Sequence, residues 1–161
     1  MKGASVAVVD ADPGFRDSLL KLLGGRGVRG TGYATAGRFF DALVKDVPAA
    51  AFVSMELPGM DGREVLRVLR ANRETRGLVL VAVSRGRRRR EEVLAGFEAG
   101  ADEFLEAPFD PEVLVARLES LLRRRQPVAV QNVVELDGIR LDLDARTATS
   151  AGKAVKLTRL E

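Results

Sequence analysis

Residues 51–62 read AFVSMELPGMDG, an apolar run that ends at Ser54 and breaks into a Pro-Gly loop. A short apolar run bounded by turn residues is typical of a strand buried on both faces, and we place that strand at 49–53. A helical pattern follows at 62–71. Its predicted packing face consists of Val65, Leu66, Val68 and Leu69. Strand, loop and helix in this order form the repeating unit of an α/β protein.

The same unit recurs on both sides of this stretch. Apolar runs predict further strands at 5–9, within 28–34, at 78–83 and at 103–106, and each is followed by a helical pattern, including helices at 90–99 and 111–124. Five strands that alternate with five helices indicate a parallel sheet covered on both faces. The ligand crevice of such a sheet lies at the carboxyl ends of its strands.

Several small or polar residues lie at these predicted strand ends. They are Asp10, Ala11, Asp12, Ser54, Ser84 and Ala107, with Glu56 two residues beyond Ser54. This placement follows from the alternation of strands and helices alone, and it makes these residues the candidate site.

The pattern changes after residue 125. We predict a linker at 126–132 and, from 133 onwards, short alternating strands separated by the turn signals Asp137-Gly138 and Ala151-Gly152. This pattern indicates an antiparallel β meander. A meander of this size is too small to form its own core. It is therefore expected to open a second domain or to pack on another surface.

Composition excludes several classes of protein. The 161 residues carry a net charge of +3 and contain neither cysteine nor histidine, which excludes disulfides, thiolate metal sites, a cysteine nucleophile and an imidazole base. No apolar run approaches the roughly 20 residues of a membrane helix, and no signal peptide is evident. We therefore expect a cytoplasmic protein that has no membrane partner.

Two features of the sequence carry charge or resemble a binding motif. Arginine clusters at 85–90 and at 123–125, where it is typical of a solvated loop or helix end or, alternatively, of a phosphate or acidic-partner contact. GRGVRG at 25–30 has the letters of the G-x-G-x-x-G dinucleotide-binding motif. That motif must follow a strand and open a helix, whereas this stretch follows a helix and leads into a strand. Asp10 and Asp12 have no third catalytic group near them in sequence, so we expect no enzyme.

The order of motifs resembles the receiver domain of two-component response regulators. The resemblance covers residues 1–125 and is carried by VVDADP at 8–13, LPGMDG at 57–62, a strand that ends in Ser84, and GFEAGADEFLEAPF at 96–109. It implies a flavodoxin-like, doubly wound sheet with strand order 2-1-3-4-5. Residues 133–161 resemble the opening of an OmpR-type winged-helix DNA-binding domain, with LTRLE at 157–161 as its L-T-x-x-E signature, and this domain is incomplete in the chain.

The resemblance also assigns roles to the candidate residues. It places the phospho-accepting aspartate at Ser54, the two adjacent acidic residues at Asp10 and Ala11, the Thr or Ser hydroxyl that closes the fourth strand at Ser84, and the lysine at Ala107. The switch aromatic corresponds to Phe104, and Asp12 is expected to point outward. Glu56 offers a carboxylate two residues beyond Ser54, but the family uses the backbone next to it. The family's nucleophile, metal ligand and lysine cation are thus predicted to be absent from these positions. Mg²⁺ binding is therefore expected to be lost or weak, and no cofactor is expected.

Ser54 itself has three interpretations. It can be a buried hydroxyl bonded to a neighbouring backbone group, a site of serine phosphorylation, or a contact for a ligand. Replacement of an aspartate by serine also lowers the repulsion within an acidic pocket, which favours folding without a metal ion.

The leading functional hypothesis is an atypical, phosphorylation-independent response regulator of transcription. Its receiver would form a homodimer through helix 4, strand 5 and helix 5, and it would bind DNA only through a complete winged-helix domain. The predicted dimer face consists of Val93, Glu98, Asp102, Glu103, Val113, Arg117, Arg123 and Arg124. Val93 and Val113 either form an apolar contact there or face the core.

Two other hypotheses remain open at this point. The first is a pseudo-receiver that senses a small molecule or a partner protein in the degenerate acidic pocket. The second, which the missing residues favour least, is a conventional receiver that accepts a phosphoryl group.

Overall fold

The computed structural model describes residues 1–86 and 88–125 in full, and beyond them the backbone of four strands between 133 and 155. The chain divides into two compact units, Met1–Arg125 and Gln126–Glu161. In the parts of the chain that the structure describes, no helix is long and apolar enough to cross a bilayer.

The first unit alternates five strands with five helices. In chain order these are β1 (Ser5–Val9), α1 (Pro13–Gly24), β2 (Arg29–Tyr33), α2 (Ala36–Leu43), β3 (Ala50–Ser54), α3 (Gly62–Ala71), β4 (Val79–Arg85), α4 (Arg90–Glu98), β5 (Glu103–Ala107) and α5 (Pro111–Arg125). All neighbouring strands pair in parallel, in the order β2-β1-β3-β4-β5. The predicted fold class and strand order are therefore confirmed.

Two apolar layers hold the sheet between its helices. On one face, Val8, Phe52 and Val81 pack with side chains of α1 and α5, such as Leu118. On the other face, Val9, Val53 and Ala82 pack with side chains of α2, α3 and α4. Alternate residues of one strand serve opposite layers, which explains why β3 and most of β4 are apolar without interruption.

Helix α3 shows where the predicted packing was right and where it was wrong. Val65, Leu66 and Leu69 are buried, but Val68 is 47% exposed, because it lies on the flank of the helix that turns away from the sheet. The helix begins at Gly62, whose backbone approaches the end of β3 closely. A Cβ at Gly62 would lie 2.8 Å from the Cα of Met55, so the loop can close only over a glycine.

Strand β4 is longer at its carboxyl end than the sequence predicted. It continues through Ser84 to Arg85, and Arg85 pairs in register with Ala107 of β5. Ser84 pairs with Glu106, and Ser54 of β3 pairs with Val83. This register brings the ends of the central strands to one edge of the sheet, where the candidate site lies.

The second unit contains a four-stranded antiparallel sheet. Its strands are β6 (Val133–Leu136), β7 (Ile139–Asp142), β8 (Thr147–Ser150) and β9 (Lys153–Val155), which pair in chain order. The meander predicted from residue 133 onwards is thus present. The predicted linker at 126–132, the two turn signals and the LTRLE signature lie outside the described residues.

Candidate functional site: an acidic crevice bridged by arginine

The candidate site is a crevice at the carboxyl ends of β1, β3, β4 and β5. Asp10 follows β1 directly, Ser54 ends β3, Ser84 and Arg85 end β4, and Ala107 ends β5. The structure therefore brings the residues predicted for the site to one edge of the sheet. Glu56 also belongs to the crevice, because its carboxylate accepts a hydrogen bond from Ser84.

Asp10 is the buried carboxylate of the crevice, with 1% of its surface exposed. Its Oδ1 accepts hydrogen bonds from the backbone N–H of Asp12 at 2.8 Å and from Nη2 of Arg85 at 2.9 Å. The backbone carbonyl of Asp10 accepts a further hydrogen bond from Arg16 at 2.6 Å. Its Oδ2 has no hydrogen-bond partner among the described residues. A buried carboxylate needs a cation beside it, and here Arg85 is that cation.

Arg85 bridges the two acidic residues that follow β1. While Nη2 contacts Asp10, Nη1 donates to Oδ2 of Asp12 at 2.7 Å. The crevice therefore contains a cation that the sequence did not predict, at a position other than that of the family's lysine. Ala107 supplies none, but Arg85 lies beside it in register on the neighbouring strand and reaches across the crevice to β1.

Ser54 is almost completely buried, and its hydroxyl oxygen accepts a hydrogen bond from the backbone N–H of Glu56 at 3.2 Å. This is the geometry of a serine that closes a turn after a strand. Within residues 1–86 and 88–125, no hydrogen bond joins the hydroxyl to a carboxylate that could take its proton. The serine is therefore not activated as a nucleophile in this arrangement.

A second arginine completes the opposite wall of the crevice. Nε of Arg88 donates to the hydroxyl of Ser84 at 2.5 Å, and Ser84 donates in turn to Glu56 at 3.3 Å. Arg88 also forms ion pairs with Glu56 and, at 3.5 Å, with Glu92 of α4. The carboxylate of Glu56 is thus held by a guanidinium and a hydroxyl.

The remaining predicted residues surround this network. Asp12 is the N-cap of α1, where its Oδ1 accepts from the backbone N–H groups of Gly14 and Phe15. It is partly exposed, so the outward orientation predicted for it holds only in part, because Oδ2 turns to Arg85. Ala11 is exposed and contributes only a methyl group.

Phe104 is buried under α4. Its ring lies against Gly96, where a Cβ would come within 2.8 Å of the ring, and at a centroid distance of 6.5 Å from Phe97. The aromatic side chain therefore occupies an inward position in β5.

The family resemblance implies a Mg²⁺ site here, and the residues do not fit one. Mg²⁺ prefers several oxygen ligands in octahedral geometry, mainly carboxylates and waters. Ala11 and Ser54 supply no carboxylate, and a guanidinium lies 2.9 Å from Oδ1 of Asp10. In the described part of the chain, no three acidic side chains converge as metal ligands would. A dication could bind Oδ1 of Asp10 only by displacing Arg85.

A small cleft of about 170 Å³ adjoins the crevice. Its lining combines Met55 and Phe104 with charged residues: Glu56, Asp61, Arg63, Arg88 and Glu92. The hydrogen bonds from Arg63 hold the pKa of the Asp61 carboxyl below its ordinary value. They leave Asp61 charged at neutral pH, where it also caps α3.

The predicted dimer face is divided by the structure into exposed and internally paired residues. Glu98, Arg123 and Arg124 are exposed, Val113 is 48% exposed and Val93 is half-buried against the core. Asp102 is already engaged within the chain, at 2.6 Å from Arg70 and 2.5 Å from Arg125. Glu103 pairs with Arg117 at 3.2 Å. Asp102 therefore cannot serve the face as a free charge.

Sequence reasoning missed Arg85 and Arg88 as members of the site. The arginine run at 85–90 was visible, but it was interpreted as a solvated surface or as a contact for an external anion. The signal that could have revealed the site was its position directly after Ser84, at a strand end that faces Asp10. A cation at the end of that strand can reach an acidic side chain of the same chain, such as Asp10.

Comparison with known proteins places this architecture in a family. The model of the response regulator receiver domain matches residues 6–119. The chain is 31% identical over 156 residues to the DNA-binding response regulator MtrA of Mycolicibacterium smegmatis, covering 97% of this chain and 66% of that protein. It therefore spans about two thirds of that relative's length.

Two solved structures are similar over different extents. DrrB, described as a Thermotoga maritima OmpR/PhoB homolog, superposes with a TM-score of 0.67 at 26% identity, over 98% of this chain and 68% of that one. The BeF3-activated DrrB receiver domain superposes with a TM-score of 0.68 at 28% identity, over 77% of this chain and all of that one. This chain belongs to the response regulator receiver family, of the OmpR/PhoB type.

Proposed function

We propose that this chain is the receiver-containing part of a transcriptional response regulator whose receiver works without phosphorylation. One observation carries the proposal: Arg85 bridges Asp10 and Asp12 in the crevice where, by family resemblance, a metal ion would assist phosphoryl transfer. The chain thus supplies a cation of its own to this crevice.

The chemistry of phosphoryl transfer supports this conclusion. The reaction needs a nucleophile aligned with the phosphorus atom, and it needs cations on the phosphoryl oxygens. At the acceptor position, the Ser54 hydroxyl accepts from an amide, and among the described residues it makes no hydrogen bond to a carboxylate. A serine hydroxyl without such a base is a weak nucleophile at neutral pH. The arginines of the crevice are bound to its own carboxylates, so they are not available to a phosphoryl donor.

In place of a phosphorylation switch, we propose that the receiver is a dimerisation module. Leu94 and Phe97 of α4 and Val113 of α5 are large apolar residues that are 42–48% exposed. Between these helices runs a groove of about 300 Å³, lined by apolar residues such as Val93 and Phe109. Exposed apolar side chains beside charged rims fit a self-complementary, two-fold interface. The rim charges in this proposal are Glu98 and the ion pair of Glu103 with Arg117.

The output of this module is proposed to be DNA binding. The relatives that the chain matches over nearly its whole length are described as DNA-binding response regulators. The four strands of the second unit agree in number with the sheet that opens an OmpR-type winged-helix domain. Sequence reading in the major groove requires a recognition element. We place that element in the complete winged-helix domain, beyond the strands described here.

Phosphoryl acceptance is tested directly with acetyl phosphate or beryllofluoride and Mg²⁺. Intact-mass spectrometry should show no phosphoryl adduct on this chain, and size-exclusion chromatography should show the same oligomeric state with and without beryllofluoride. The DrrB receiver, which has a BeF3-activated form, is the matched positive control. A covalent phosphoryl group on the chain, or a beryllofluoride-dependent change in its assembly, would contradict the proposal.

The cleft beside the crevice favours a second candidate function, the sensing of a small molecule. Oε2 of Glu56 is buried there and has no hydrogen-bond partner among the described residues, next to the apolar walls of Met55 and Phe104. A small ligand with one cationic group and an apolar body would fit this lining. A thermal-shift screen of amine-bearing metabolites tests it: a stabilising compound whose effect disappears in Glu56→Gln supports the role, and no shift across the set rejects it.

A further inference from the structure

A basic surface lies at the edge of the sheet opposite the crevice, where α5 ends. Arg73 and Arg76 come from the turn after α3, and Arg123 and Arg124 come from the last turn of α5. All four residues are exposed. We call these four residues the basic patch.

Hydrogen bonds show that the two elements of the basic patch are in contact. Nη1 of Arg125 donates to the backbone carbonyl of Arg76 at 3.3 Å, and Nη1 of Arg70 donates to the same carbonyl at 2.8 Å. The turn after α3 and the end of α5 are therefore tied together. The four exposed arginines therefore lie on two neighbouring elements.

The basic patch carries more positive than negative charge. Glu74 lies between Arg73 and Arg76 in the same turn, and Asp102 is bound by both Arg70 and Arg125. In residues 1–86 and 88–125, none of the four patch arginines takes part in an ion pair. A helix C-terminus attracts cations, which accounts for arginine at the end of α5, but Arg73 and Arg76 lie on another element.

We propose that the basic patch binds the sugar-phosphate backbone of duplex DNA and adds sequence-independent affinity to the regulator. Guanidinium groups stay charged and bind phosphate oxygens in a bidentate manner. The patch includes the last turn of α5, and Arg125 is the residue at which the first unit ends and the chain continues to the second. This inference rests on the proposed DNA-binding role, and it assigns the receiver a direct part in that role.

The test measures how salt affects binding of the 161-residue chain to a fluorescent duplex of about 30 base pairs and arbitrary sequence. Each phosphate contact adds about 0.9 to the slope of log K against log salt. The variant in which Arg73, Arg76, Arg123 and Arg124 are all changed to Gln should reduce the slope by roughly 2–4, and it should weaken binding at about 50 mM salt at least tenfold. Arg70 and Arg125 are kept, so the contacts of Asp102 are preserved.

A matched control removes the same charge elsewhere. Arg38, Arg67, Arg89 and Arg90 are also exposed, and their joint change to Gln should leave the slope within about one unit of the wild-type value. Equal losses in both variants would overturn the proposal, because net charge alone would then explain binding. An unchanged slope in the patch variant would also overturn it, as would a wild-type chain that binds an acidic peptide but no duplex.

A smaller variant and a second assay complete the test of the basic patch. If the fourfold variant does not fold, the pair Arg73→Gln and Arg76→Gln alone should still reduce the slope by roughly 1–2. The experiment also separates an error in this inference from an error in the proposed function. If the basic patch does not bind DNA but the proposed function is correct, the phosphoryl-acceptance assay still shows no adduct, and the complete regulator still binds its promoter.

Discussion

Arg85 determines the charge balance of the crevice more than any other single residue. Its guanidinium lies 2.9 Å from a carboxylate that is 1% exposed, so its removal would leave Asp10 charged, buried and without a cation. Because Arg85 itself is 39% exposed, part of the pair's energy is screened by water. The ion pair therefore contributes to stability mainly because Asp10, its buried member, is removed from water.

Arg85→Gln should lower the free energy of unfolding by about 1–3 kcal/mol in a chelating buffer, because a buried carboxylate loses its counterion. Urea denaturation measures this change. Arg90→Gln is the matched control, because Arg90 is exposed and has no ion pair among the described residues, and it should stay within about 0.5 kcal/mol of the wild type.

The same variant should acquire a response to divalent cations. With Arg85 removed, Asp10 and Asp12 can both turn to a cation, so Mg²⁺ should raise the Tm of Arg85→Gln but leave that of the wild type unchanged. A wild-type chain that Mg²⁺ stabilises at millimolar concentration would contradict the role of Arg85 as the internal cation. So would a variant that is as stable as the wild type and remains insensitive to the metal.

Single residues also show how far sequence reasoning reached into the site. The positions of Asp10, Ser54 and Ala107 at one edge followed from alternating strands and helices, since parallel strands bring their carboxyl ends together. The role of Arg85 did not follow, because it depends on β4 continuing two residues beyond the apolar run. Successive strand residues point to opposite faces, so a small error in strand length changes which side chain reaches the crevice.

At the scale of elements, α4 and β5 meet through a glycine and an aromatic ring. A Cβ on Gly96 would lie 2.8 and 2.9 Å from two ring carbons of Phe104, closer than packed side chains tolerate. The helix can therefore lie this near to the strand only without a side chain at that position. This contact keeps Phe104 in its inward position.

Gly96→Ala should destabilise the receiver by about 1–3 kcal/mol, because either the ring or α4 must move. Gly37→Ala is the matched control: it also lies in a helix, but its Cβ would meet no atom within 4 Å. The control should be stabilised by about 0.5–1 kcal/mol through helix propensity. Thermal or urea unfolding of both variants tests this, and equal effects would refute the packing argument.

A cluster around Asp102 ties the end of α5 to the rest of the domain. Its Oδ2 accepts from Arg70 and from the backbone N–H of Leu80 at 2.8 Å, and its Oδ1 accepts from Arg125. Arg70 also donates to the carbonyl of Gly100 at 2.8 Å. One carboxylate thus joins α3, β4 and the last residue of α5.

Asp102→Asn should lower the free energy of unfolding by about 1–3 kcal/mol, because an amide cannot accept all of these hydrogen bonds or balance two guanidinium groups. Glu98→Gln, an exposed acid of α4, is the control and should change stability by less than about 0.5 kcal/mol. Amide hydrogen exchange should also show faster exchange in the last turn of α5 in Asp102→Asn. If exchange in that turn is unchanged, Asp102 does not anchor the end of α5.

At the scale of the whole molecule, the layered architecture was predictable and the distribution of surface residues was less so. Apolar runs and helical spacing predicted the five strands and five helices, because burial between two layers demands nearly continuous apolar strands. The same reasoning assigned Val68 to the core, although it is exposed, since an amphipathic stripe does not show where its buried part ends. Which charges pair within the chain, as Asp102 does, depends on contacts distant in sequence.

If the exposed apolar residues of α4 and α5 form the proposed two-fold interface, they determine the oligomeric state of the whole molecule. The double variant Leu94→Glu and Val113→Glu would place four like charges at that interface, because each copy contributes two. We expect a dimeric wild type and a monomeric variant, both without any phosphoryl donor, as measured by size-exclusion chromatography with light scattering.

The matched control for this experiment is the double variant Val44→Glu and Val68→Glu, which adds the same charge at two exposed valines, one directly after α2 and one in α3. It should remain dimeric, because neither residue belongs to α4, β5 or α5. Exposed ion pairs contribute only about 0–1 kcal/mol each, so Leu94, Phe97 and Val113 must supply most of the affinity. A wild type that stays monomeric at micromolar concentration, or a Leu94/Val113 variant that remains dimeric, would remove this face as the site of assembly.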